Sequence, residues 1–137
     1  MPADIQIYNP DTIGAPLGQY MHVTRVKAPG EFIFLAGMLS ADINGDTVGV
    51  RDFDAQCVQV FANTEAALKS AGADFANVVQ FTTYMVHSQW IPEFMAFRQR
   101  EFPKFFPDGR YPPNTLLMVD RLVREDFLVE VHTIAAL

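Results

Sequence analysis

Glu130 sits in the middle of an alternating apolar run, Phe127 to Ile134, near the C-terminal end of a 137-residue chain. Burying a carboxylate is costly unless it is paired or hydrogen-bonded. Such an acid is therefore either a structural partner or a working group. As a partner it would meet Arg121, Arg124 or a neighbouring subunit. As a working group it would have its pKa raised by an apolar cleft and would exchange protons or orient water near neutral pH. Strand alternation puts Phe127, Val129, Val131 and Thr133 on one face and Leu128, Glu130, His132 and Ile134 on the other. Asn114 follows two prolines, Pro112 and Pro113. Its amide can donate hydrogen bonds but carries no charge. Tyr20 and His22 share one face of an expected strand, and Gly37 interrupts an apolar one. A glycine there marks either a bulge or a close backbone approach.

The elements that must position these residues follow from the pattern. Residues 1 to 19 read as an extended, turn-rich approach. Tyr20 to Val26 and Glu31 to Met38 read as strands of one hairpin, joined by the turn Ala28-Pro29-Gly30. A turn through Asn44-Gly45 supports a short edge strand through Val48. Asp52 caps a helix that runs to Gly72, with Phe53, Cys57, Val60, Phe61, Thr64 and Leu68 at helical spacing. Val78 to Val86 is a central strand. A second helix spans about Ile91 to Phe102, with Pro92 in its first turn. A loop rich in proline and glycine then leads to two closing strands, Thr115 to Val119 and Phe127 to Ile134, joined by a charged turn. The order β-β-α-β-α-β-β defines a single α+β domain over residues 1–137, a mixed sheet with two helices on one face. Subunit association is the simplest cover for the other face.

Half of the residues are hydrophobic and 19% are charged, a globular composition. The net charge of −6 argues against a nucleic-acid backbone or an anionic membrane surface as partner. The one cysteine, Cys57, excludes an internal disulfide and falls on the first helix's apolar stripe. No histidine spacing fits a zinc motif, so neither a metal nor another cofactor is expected. No signal peptide or spanning segment is evident, and a cytoplasmic protein is the expectation.

Several short motifs, taken in order, resemble the RidA family (also called YjgF), the enamine/imine deaminases. They are Gly18-Gln19-Tyr20, Phe34-Leu35-Ala36-Gly37-Met38, Phe105-Phe106-Pro107-Asp108-Gly109, Pro112-Pro113, and the Arg121-Leu122 turn leading to Val129-Glu130-Val131. The resemblance implies a chorismate mutase-like, barrel-forming homotrimer with ligand clefts between neighbours. It implies that Glu130 lines the cleft and positions water, and that Tyr20 packs on the ligand. It implies that Gly37 approaches the ligand through its backbone, that the Leu116 N–H serves it, and that His22 and Met38 line the cleft. Two departures matter. Asn114 stands where imine-hydrolysing members carry an arginine that grips the substrate carboxylate with two parallel bonds. Ala36 and Met38 replace a serine and a glutamine, which makes the cleft more apolar. The expected activity is hydrolysis of a small imine, enamine or related C–N compound other than the usual 2-imino acid. The alternative is a trimeric small-metabolite binder or regulator. Ribonuclease activity, attached to some members, ranks last because the chain is acidic.

Overall fold

The computed structural model describes residues 3–137. Its elements are β1 (Asp4–Tyr8), β2 (Val23–Lys27), β3 (Phe32–Phe34), α1 (Phe53–Ser70), β4 (Val78–Met85), α2 (Ile91–Phe105), β5 (Asn114–Met118) and β6 (Val129–Ala136). They form two sheets, β1-β2 and the mixed sheet β3-β6-β4-β5, and the two helices cover one face of the larger sheet. The α+β architecture with two helices on one face is the one the element order implies.

The first helix begins and ends where capping chemistry requires. The Asp52 carboxylate accepts the Ala55 N–H at 3.1 Å. At the far end Gly72 takes φ +77°, while Ala73 N–H donates to Leu68 O and Gly72 N–H to Lys69 O. That is the paired closure of a Schellman motif, which favours glycine at the left-handed position. The buried stripe of α1 faces Phe94, Phe97 and Phe102 of α2, with Phe81, Phe106 and Val131 in the same core. The phenylalanines of α2 and the following loop pack in the core. Cys57 is fully buried, and burial pushes its thiol well above the ordinary range, so it is an inert packing residue.

Four expectations need correction. The approach is not merely extended, because Asp4–Tyr8 forms a strand paired antiparallel with β2. The expected hairpin does not form either. The second strand of that hairpin, β3, pairs with β6, with Phe34 opposite Ile134. The turn at Ala28, whose φ is +48°, sends the chain from one sheet to the other. Turn chemistry signals a reversal but does not say which strand receives the returning chain. Finally, the strand assigned to Tyr20–Val26 starts only at Val23, so Tyr20 and His22 lie on the loop before it. The closing strands are also not neighbours. β4 lies between them, parallel to β5 and antiparallel to β6.

Gln56 ties α1 to the chain just before β6. Its side chain is fully buried, accepts the Leu128 N–H at 2.8 Å and donates to Asp126 O at 2.7 Å and Gly49 O at 3.1 Å. These bonds set where β6 begins. Gln56→Leu keeps the volume but strands those groups, each at a cost of about 1–3 kcal/mol. We expect urea denaturation to show a loss of about 2–4 kcal/mol.

Candidate active site

β6 is paired on both sides, so its side chains have fixed directions. Val129, Val131, Thr133 and Ala135 are fully buried on the helix side. Glu130, His132 and Ile134 are half-buried on the opposite, open face, as alternation requires. Glu130 stands opposite Tyr84 of β4. Burial pushes its carboxyl pKa up, and the nearby His132 partly offsets that rise. Neither arginine proposed as its structural partner reaches it. Arg121 pairs with Glu125 at 2.6 Å, and Arg124 donates to Gly45 O at 2.6 Å. Among the described residues, no ion pair engages the Glu130 carboxylate.

Gly37 serves Glu130 directly. Leu35 N–H donates to Thr133 O, and Met38 exchanges both backbone bonds with Val131. Between those contacts, Ala36 and Gly37 face the single residue His132, so the extension of β3 carries a bulge here. The bulge brings the Gly37 backbone against the acid. A Cβ built on Gly37 would lie 2.7 Å from the Glu130 Cδ and overlap the carboxyl oxygen. The two readings of Gly37, bulge and close approach, describe one feature.

Asn114 lies elsewhere. Its partner across the parallel ladder is Phe81, which faces the helices, and its Oδ1 accepts the Thr83 hydroxyl at 2.7 Å. Leu116, two residues on, faces the same way and packs on the core. Asn114 and Glu130 thus occupy opposite faces of the sheet within one chain. The Tyr20 hydroxyl accepts the Leu17 N–H at 3.2 Å, and its ring meets His22 edge-on with centroids 5.8 Å apart. His22, Thr24, Gln80, Pro113 and Ile134 line an open hollow of about 350 Å³. Neither Tyr20 nor Glu130 lines that hollow. Met38 packs on the core beside Val131. Among the described residues, no group of three or more His, Cys, Asp or Glu side chains could hold a metal ion.

One residue near Tyr20 escaped the sequence reading. Arg98, on the buried face of α2, is 1% exposed and is the only buried charged side chain among the described residues. A sequence signal existed, since Arg98 falls at helical spacing between Phe94 and Phe102.

The fold and site together define a small α+β domain with a half-buried carboxyl beside a backbone bulge on the open face of its sheet. The family model described as Endoribonuclease L-PSP matches residues 12–137, and the chain belongs to that family, the YjgF/RidA family. Among its relatives, a RutC family protein of Pyrococcus abyssi is 29% identical over 120 residues, covering 88% of this chain and 87% of the relative. The 3-aminoacrylate deaminase RutC of Acinetobacter baylyi is 27% identical over 135 residues, 98% of each chain. The crystal structure of YyfB, a Rid-family protein of Yersinia pestis, superposes with a TM-score of 0.85 at 30% identity, covering 97% of this chain and 98% of that one.

The raised pKa of Glu130 has a stability consequence. The folded chain holds this proton more tightly than the unfolded chain does. The acid's contribution to stability therefore falls as the pH rises through the ordinary value of 4.5 and on through the raised one. Thermal unfolding should show Glu130→Gln gaining on the wild type between pH 4 and pH 7. An unchanged difference would mean that the carboxyl is not held in a protonating environment.

Proposed function

We propose that this chain is a deaminase-type hydrolase of a small imine, enamine or related C–N compound. The observation that carries the reading is the Glu130 carboxyl: half-buried, held above its ordinary pKa, and free of ion pairs. In its ionised form it accepts a proton from water as the water oxygen adds to the C=N carbon. The product is a carbinolamine. The carboxyl returns that proton to nitrogen, then takes the hydroxyl proton of the carbinolamine and delivers it to nitrogen as the C–N bond breaks, so that a carbonyl compound and ammonia leave and the carboxylate is regenerated. An enamine enters the same sequence after protonation at carbon. The match to a relative named as a deaminase supports the reaction class, while the amide at Asn114 argues against the usual 2-imino acid. Backbone N–H groups near Gly37 and Leu116 hold the ligand, with Tyr20, His22 and Met38 around it. The net charge of −6 disfavours an RNA substrate.

The proposal includes a homotrimer with clefts between neighbouring subunits, acting in the cytoplasm without metal or cofactor. Two features support the assembly. Asn114 and Glu130 face opposite ways in one chain, so they can share a cleft only across two copies. The open face also carries uncovered apolar groups. Phe34, opposite Ile134, is 69% exposed, and Phe32 is 50% exposed. Aromatic groups of this kind anchor protein interfaces.

Glu130→Gln removes the proton acceptor with little change in shape. Ammonia release from imines generated by an amino-acid oxidase should fall about 10²- to 10⁴-fold, while binding persists. If the wild type releases no ammonia above buffer from any imine tested, the chain is a metabolite binder instead. Phe34→Glu should shift the wild-type trimer toward monomer in light scattering. A wild-type monomer would remove the shared cleft.

A further inference from the structure

Arg98 is anomalous on physical grounds. A buried guanidinium normally has an acid or several carbonyls around it, because an unpaired buried charge is costly. Its Nε and Nη1 atoms are buried without a hydrogen-bond partner among the described residues. Its Nη2 meets only the Met95 sulfur at 2.9 Å, and a thioether is a weak acceptor. The Phe94 and Phe102 rings, with centroids 4.7 and 5.9 Å from Cζ, stabilise the cation but use no N–H. Burial lowers its pKa to about 10, so it stays charged at neutral pH.

What covers Arg98 is thin. A Cβ built on Gly18 would lie 3.1 Å from Nη2, so the backbone of the Leu17–Tyr20 segment rests directly on the guanidinium. Leu17 in that segment is 87% exposed, and Tyr20 lies close enough to affect the charge of Arg98. The charge is thus separated from the surface by a glycine-containing loop, beside Tyr20. Asn114 and Leu116 face the same side of the sheet as α2, the helix that carries Arg98.

We propose that Arg98 is an anion-binding residue, and that a carboxylate of the ligand takes its Nε and Nη2 donors, the first unused and the second held only by the Met95 sulfur, when the Gly18–Tyr20 segment that rests on Nη2 shifts aside. Nε and one terminal nitrogen form the side-on fork that a carboxylate fits with two parallel bonds. The inference refines the functional reading above and rests on it for the reaction, though not for binding. It makes the substrate an anionic C–N compound with its acid group held from α2, not from the position of Asn114.

The test uses the full-length protein with benzoate as the anionic probe and benzamide as its neutral counterpart. Titration calorimetry should detect benzoate and a weaker response, or none, to benzamide. The Arg98 Nε–H resonance, assigned by its loss in Arg98→Met, should move on adding benzoate. Arg98→Met should fold, since an apolar side chain of similar length replaces an unpaired buried charge. It should weaken benzoate binding roughly ten- to a hundredfold and leave benzamide unaffected. Arg98→Lys, which keeps charge but loses the fork, should fall between. Equal affinity for benzoate in wild type and Arg98→Met, or a static Nε–H resonance at saturation, would overturn the proposal. Glu130→Gln separates the two readings. If it loses turnover but keeps benzoate affinity, binding at Arg98 stands independently of the chemistry. If the wild type binds benzoate through Arg98 but hydrolyses nothing, only the catalytic reading fails.

Discussion

The double pairing of β6 is the constraint on which the rest of the structure depends. A strand bonded on both edges cannot roll about its axis, so its side-chain alternation becomes a fixed partition of space. Val129, Val131, Thr133 and Ala135 fill the helix-side core, and that burial sets the register. Once it is set, Glu130 must emerge on the other face. A slip of one residue would place the acid against the phenylalanines of α2 and a valine on the open surface. The cost of burying an unpaired carboxylate there excludes that alternative.

The same strand explains the bulge. The extension of β3 follows β6 with one residue too many, and the surplus falls at Ala36-Gly37, directly beside the acid. A side chain at Gly37 would overlap the carboxyl. The bulge and the acid are therefore mutually dependent. One supplies a surface without side chains, and the other occupies it without an ion pair to hold its charge. The result is a carboxyl whose proton affinity is raised by partial burial, with His132 close enough to moderate the rise.

Charge is distributed unevenly between the two faces of the sheet. The open face holds an acid and, farther along the sheet, exposed aromatic rings, while the helix side holds one buried cation with unused donors. A monomer keeps these groups apart. The face that bears Phe34 and Ile134 is the one that lacks helices, and it leaves apolar surface exposed.

Local patterns in the sequence determined much of this protein. The Asp52 cap, the Gly72 stop and the apolar stripe of α1 act within a few residues and form where their pattern places them, while the last strand keeps its alternation from Val129 but starts two residues after the expected Phe127, and α2 runs to Phe105, past the expected Phe102. The family was legible for a similar reason, because short motifs in fixed order survive low overall identity. Strand partnership belonged to the tertiary structure. Nothing local says that β2 takes Asp4–Tyr8 as its partner while β3 crosses to β6, or that β4 lies between the closing strands. Those choices are decided by which apolar faces can be buried together across long separations in the chain. The environments of Asn114 and Arg98 were decided in the same way. The amide turns to Thr83 because β5 runs parallel to β4, and the arginine loses its solvent because the Gly18 loop folds over α2.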